Sequence, residues 1–124
     1  SAVLSHFAND VCAVERIKPL VSKSRENLRE LKIRNVIVKH ADGFNGWEED
    51  LKFDGIICAA APRQYPEELL DLLEVGGKLV IPVGLEGKQK LYVITKKSET
   101  EIEEIINEDV AFVPMLPGVS NGEV

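Results

Sequence analysis

The chain has 124 residues, 44% of them hydrophobic, which is enough for one globular core and too few for two ordinary domains. Its 15 Lys and Arg against 21 Asp and Glu leave a net charge of −6, which repels phosphate backbones and anionic lipid, so nucleic acid is excluded as a broad electrostatic partner. No apolar run reaches the roughly 18 residues of a spanning helix, and no basic-then-apolar leader opens the sequence, so a cytosolic protein with no membrane partner is expected.

Residues 1–8 carry Val3, Leu4 and Phe7 at helical spacing, which predicts that the sequence opens inside a helix. Met115 is the only methionine, so the sequence is expected to be part of a longer protein. Val11-Cys12-Ala13-Val14, closed by Glu15, has the continuous apolar pattern of a strand buried on both faces. Pro19 then suits a first helical position, and Ile17, Leu20, Val21, Ser24, Leu28 and Leu31 recur as one stripe, with Lys23, Arg25, Glu26 and Arg29 opposite. A helix of about 14 residues follows from that spacing.

Val36-Ile37-Val38 predicts a second strand, broken by His40-Ala41-Asp42-Gly43. Residues 44–52 mix Gly46, Trp47 and acids and predict a surface loop. Residues 53–59 form a third buried strand, and Ala60-Ala61-Pro62 turns it towards a helix over 66–73 that stops before Gly76-Gly77. Lys78-Leu79-Val80-Ile81-Pro82 is the next strand, with Gly84 after its end. Residues 90–95 and 101–106 predict a hairpin, residues 110–113 extend it or pair nearby, and the polar tail after Pro117 is expected to be loose. The class is α/β: a mostly parallel sheet with helices on both faces that ends in an antiparallel hairpin, all within a single domain over 1–124.

Cys12 and Cys58 lie inside apolar runs, as two small reduced core residues would, and neither they nor His6 and His40 have metal-ligand spacing. No metal is expected. In doubly wound sheets the ligand sits beyond the carboxyl ends of the strands. Glu15, ending the first strand, suits the two hydroxyls of a ribose; Asp42 suits the exocyclic amine of an adenine, whose ring Gly43 admits closely. Together they suit an adenosine, although each taken singly also fits an ordinary strand-end acid or turn pair.

The segments VCAVERI from Val11, HADGFNGW from His40, FDGIICAAAP from Phe53, GGKLVIPVG from Gly76 and FVPM from Phe112 resemble, in order and spacing, the protein-L-isoaspartate O-methyltransferases. AAAP followed by PVG and then Gln89 is the most characteristic combination. The resemblance implies a Rossmann-like, S-adenosylmethionine-dependent methyltransferase fold, with Glu15 on the cofactor ribose, Asp42 and Gly43 on its adenine, and Gln89 near the cofactor. It implies that Ala59, Ala60 and Ala61, with Pro82, Val83 and Gly84, shape a slot for the isoaspartyl carboxylate, largely through backbone groups. Isoaspartyl-containing proteins and peptides would be the partners, and methylation of their free α-carboxyl, initiating repair, would be the activity. No catalytic side chain is implied.

The family's glycine-rich loop and serine-bearing segment precede the matching region. Gly43 is the first glycine here, so neither has a counterpart and the amino-terminal part is expected to be truncated. With the expected strand order 3-2-1-4-5, the missing strand would be central, leaving the chain alone poorly folded and inactive. The rival readings are another S-adenosylmethionine-dependent methyltransferase, a dehydrogenase using Glu15 on a ribose, and an adenosine-binding fragment without turnover.

Overall fold

The structure, a computed structural model, describes residues 1–41 and 52–120. Two compact units divide the chain, Ser1–Gly43 with Pro117–Val124, and Phe44–Leu116.

In the first unit, a parallel pair joins β1 (Val11–Glu15) and β2 (Val36–His40) in register from Val11 opposite Val36 to Glu15 opposite His40. The helix between them, α1 (Lys18–Glu30), has Pro near its start, where a missing N–H costs nothing. Val21 and Leu28, seven residues apart, bury against Val38, with Ala2, Ala13, Ile33 and Val36 packed around them. The buried stripe is narrower than the sequence predicts, because Leu20 and Leu31 are exposed. Ile37 is exposed as well, so α1 covers one face of the pair; burial of these strands on both faces is not met by the described residues.

No glycine announces the end of α1. Lys32 takes the left-handed conformation, with φ at 58°, while its N–H donates to Arg29 O and the N–H of Ile33 donates to Leu28 O at 2.9 Å. This double bond pattern is a Schellman motif, and Ile33 packs on the cluster that contains Leu28, as the motif's apolar contact requires. The opening residues form one 3-10 turn, Leu4–His6, rather than part of a longer helix, and Val3 and Phe7 are exposed.

The tail is held, not loose, through residue 120. Ser120 bridges to Ile17, its N–H donates to Arg16 O at 2.8 Å, and its carbonyl accepts the N–H of Lys18 at 2.8 Å. That last bond satisfies one of the orphan donors at the start of α1.

The second unit is a four-stranded mixed sheet in the order β3 (Phe53–Ile57), β5 (Leu73–Val83), β6 (Gln89–Lys96) and β7 (Ile102–Val110). β3 and β5 are parallel; β5, β6 and β7 run antiparallel in turn, and β6 with β7 is the hairpin expected from the sequence. A short parallel pair, β4 (Ala60–Ala61) with β8 (Val113–Pro114), completes the strands described, and α2 (Glu67–Asp71) is a single short helix. Leu69, Leu73, Leu79, Ile81, Val83 and Ile94 form the core, with Leu73, Leu79, Ile81 and Ile94 wholly buried. Ile57 on β3 is exposed, so that strand too is covered on one face by the described residues.

α2 is shorter, and β5 starts earlier, than Gly76-Gly77 suggests. The two glycines do not end an element; they sit inside β5 and absorb the slip in register between Phe53 opposite Leu73 and Gly55 opposite Lys78. Gly76 has φ of 90°, and a Cβ on Gly77 would stand 2.9 Å from Glu74 O and 3.0 Å from Asp54 O. The carbonyl end of α2 is closed by a buried cation: Lys96 Nζ donates to Leu70 O at 3.2 Å and Leu73 O at 3.1 Å.

Replacing Lys32 by glycine removes the left-handed strain at the end of α1 at some cost in chain entropy, and is expected to stabilise the protein by about 0.5 to 1 kcal/mol. The urea midpoint measures it; a midpoint that stays or falls would contradict the assignment of strain there.

Candidate active site

Parallel pairing brings the carboxyl ends of β1 and β2 to one rim of the first unit. Glu15 is the register partner of His40, and the N–H of Ala41 donates to Glu15 O at 3.1 Å, so Ala41 is held directly beside Glu15. Asp42 and Gly43 themselves lie outside the described residues, as does most of the loop predicted over 44–52. The Glu15 carboxylate is half committed: Oε1 accepts the N–H of Ile17 at 3.1 Å, while Oε2 accepts no hydrogen bond among the described residues. One oxygen fixes the rotamer and the other stays available to a hydroxyl donor. A cleft of about 270 Å³ borders Glu15, and its other lining is mostly apolar, from Ala2, Ala13, Val14, Leu28, Leu31 and Val38.

His40 supports the same rim, with Nε2 lying 2.9 Å from Arg16 O and 3.2 Å from Ser120 O. Both neighbours are carbonyl oxygens, so Nε2 carries the proton and donates. The imidazole thereby ties the end of β2 to the turn after Glu15 and to the tail.

A second rim forms at the carboxyl ends of β3 and β5 in the other unit. Val80 O accepts the N–H of Cys58 at 3.0 Å, which fixes the side of β5 facing β3. Backbone groups alternate in direction along a strand, so Val80, Pro82 and Gly84 all face that way. Pro82 lies past the last β3 pair, where its missing N–H breaks no ladder bond, and the N–H of Gly84 donates to Pro62 O at 2.9 Å. Residues 59–62 and 82–84, the AAAP and PVG segments of the sequence, are therefore bonded neighbours. Gly84 has φ of 134°, and a Cβ there would overlap the carbonyl oxygen of Lys88. Only glycine fits.

β8 runs beside the alanine segment. Ala60 pairs with Val113 and Ala61 with Pro114, and the N–H of Met115 donates to Ala61 O at 3.0 Å. Gln89 is buried at the start of β6, its Nε2 donating to Phe112 O at 3.0 Å and its Oε1 accepting the N–H of Phe112 at 2.7 Å. Cys58 lies just before the alanines, and burial pushes its thiol up to about 11, so it is protonated at neutral pH and is a poor nucleophile.

The family model described as Protein-L-isoaspartate(D-aspartate) O-methyltransferase matches residues 1–120. The chain belongs to that family. Among curated relatives, protein-L-isoaspartate O-methyltransferase 1 of Marinobacter nauticus is 48% identical over 96% of this chain and 54% of its own length. The enzyme so named from Methylobacillus flagellatus is 47% identical over 97% of this chain and 55% of its own. The chain thus spans about half the length of the curated relatives it matches.

A solved Plasmodium falciparum protein described as a protein-L-isoaspartate O-methyltransferase, in complex with S-adenosyl-L-homocysteine, is 37% identical with a TM-score of 0.75, over 86% of this chain and 52% of that one. A second solved protein-L-isoaspartate O-methyltransferase, 23% identical, has a TM-score of 0.79 over 90% of this chain and 35% of its own, a likeness of fold. The fold is that of the S-adenosylmethionine-dependent methyltransferases, as the sequence motifs imply.

Among the described residues, the site positions read from sequence fall on two rims: Glu15 on the first, and Ala59, Ala60, Ala61, Pro82, Val83, Gly84 and Gln89 on the second. Sequence reasoning missed His40, whose Nε2 bonds join segments far apart in the chain, and Phe112, which no local pattern connects to Gln89.

Gly84→Ala is expected to destabilise the protein by about 2 to 4 kcal/mol, the sum of left-handed strain and overpacking against Lys88. Chemical denaturation measures it; a loss within about 0.5 kcal/mol, the range of ordinary surface substitutions, would show that the turn relaxes at little cost.

Proposed function

We propose that the protein methylates the free carboxyl of damaged residues, the α-carboxyl of L-isoaspartyl and the side-chain carboxyl of D-aspartyl, initiating their repair, with S-adenosylmethionine as the methyl donor. The observation that carries this reading is the bonded meeting of the AAAP and PVG segments through Gly84 and Pro62, at the carboxyl ends of neighbouring parallel strands. The cytosol, where intracellular proteins age, is the proposed location. Isoaspartyl-containing proteins and peptides are the proposed partners.

Glu15 is the proposed acceptor for the ribose hydroxyls, its carboxylate held by the N–H of Ile17 and its backbone carbonyl by the N–H of Ala41. Asp42 would accept the adenine amine, with Gly43 leaving room for the ring. The family resemblance puts Gln89 near the cofactor; both polar atoms of its carboxamide are bonded to Phe112, and it is assigned no cofactor contact. S-adenosylmethionine supplies an electrophilic methyl on a sulfonium. Bound there, it would supply that methyl to the carboxylate oxygen, leaving a methyl ester and S-adenosylhomocysteine.

No proton has to be removed from the acceptor. An α-carboxyl has an ordinary pKa of roughly 3.3 to 3.7 and is an anion at neutral pH. The protein's task is then alignment and exclusion of water, which can supply about 7 to 11 kcal/mol. Small residues serve this: Ala59, Ala60 and Ala61 against Pro82, Val83 and Gly84 would leave a narrow slot whose polar groups are those of the backbone. The nearby thiol of Cys58, kept protonated, is not a competing methyl acceptor.

Methyl transfer measured with the full-length gene product is expected for a peptide with isoaspartate and absent for the same peptide with aspartate. Glu15→Ala is expected to raise KM for S-adenosylmethionine about 10- to 100-fold, the loss of one or two hydrogen bonds to a charged acceptor. Equal transfer to both peptides, or none to either, would reject the proposed substrate. The 124 residues alone, which hold no counterpart of the family's glycine-rich loop, are expected to be inactive in the same assay, and measurable transfer by them would contradict that.

A further inference from the structure

We propose that Gln89 is a positioning residue for the substrate slot: it holds Phe112 so that residues 113–115 form the slot's third wall, a role that rests on the proposed function. The carboxamide is engaged at both ends, Nε2 donating to Phe112 O at 3.0 Å and Oε1 accepting the Phe112 N–H at 2.7 Å. A primary amide presents the same donor and acceptor pair as a peptide group, so Gln89 acts as a one-residue strand partner for Phe112. Its side chain is buried, with 3% of the residue accessible, and those two bonds occupy both of its polar atoms. It works through Phe112.

Phe112 leads straight into the third wall. Val113 and Pro114 run parallel to Ala60 and Ala61, and Met115 bonds to Ala61 O. β8 is two residues long, Val113 is exposed, and Phe112 is itself partly exposed, so the segment has little packing of its own to hold it. Gln89 also lies five residues beyond Gly84, whose N–H is bonded to Pro62. The turn from Gly84 to Gln89 therefore links two of the slot's walls: its first residue holds the AAAP segment and its last holds the Phe112 segment. Glutamine has the reach and both hydrogen-bonding senses for this; methionine has a similar length and neither, and glutamate has only the acceptor.

The test is the full-length gene product carrying Gln89→Met, with Gln89→Glu as a second variant that keeps the acceptor for the Phe112 N–H. Gln89→Met is expected to raise KM for an isoaspartyl peptide at least about tenfold, as a displaced wall would, with KM for S-adenosylmethionine unchanged. Amide hydrogen exchange at Phe112 and Met115 is expected to quicken in the same variant while that of Val93 and Ile94 in β6 stays at the wild-type rate. Gln89→Glu is expected to fall between wild type and Gln89→Met in peptide KM, and it carries the test alone if Gln89→Met does not fold. An unchanged peptide KM in a folded variant, or an equal rise in both KM values, overturns the positioning role. Absence of transfer to isoaspartyl peptide by the wild-type protein overturns the proposed function, and this inference with it.

Discussion

Parallel pairing between neighbouring strands is the constraint on which the site depends, because it brings two carboxyl ends to the same edge where an antiparallel pair would separate them. β1 with β2 delivers Glu15 and Ala41 to one rim, and β3 with β5 delivers the alanine segment and Gly84 to another. Backbone bonds past the last strand pair complete the approach: Ala41 to Glu15 in one, and Cys58 to Val80 and Gly84 to Pro62 in the other. Elements remote in sequence then lock onto these ends. His40 and Ser120 brace the first, and Gln89 with Phe112 braces the second.

The proposed chemistry fits so sparse a set of side chains. A carboxylate acceptor arrives ionised and a sulfonium donor is already activated, so no histidine, lysine or thiolate has to be tuned. Rate then comes from geometry, and geometry here is set by features that tolerate little change: a glycine whose Cβ would strike a carbonyl, a proline placed where no ladder bond is lost, and a glutamine with both polar atoms engaged. The same logic explains why such a site is written in alanine, proline and glycine.

Much of this was legible in the sequence, for a physical reason: a buried strand and the turn after it leave local marks. Val11 to Glu15, the valine-rich run before His40 and the hairpin after Gly84 carry their periods openly. Features set by tertiary contact left none. The end of α1 falls on Lys32, a residue that gives no stop signal, because Ile33 packs under the helix. Gly76 and Gly77 resemble a terminator and instead permit a bulge within β5. A polar tail looks loose until Ser120 is seen bridging to Ile17. The continuous apolar runs of β1 and β3 promised cover on two faces, and the described residues supply it on one.

The central claim is that the carboxyl rim of β1 and β2 receives a nucleoside. Amide chemical shifts recorded as S-adenosylhomocysteine is added to the isotope-labelled full-length protein test it most directly. Movement should be largest at Glu15, Arg16, Ala41, Asp42 and Gly43 as the ligand saturates. Saturable binding whose shifts leave those five amides in place would contradict the account.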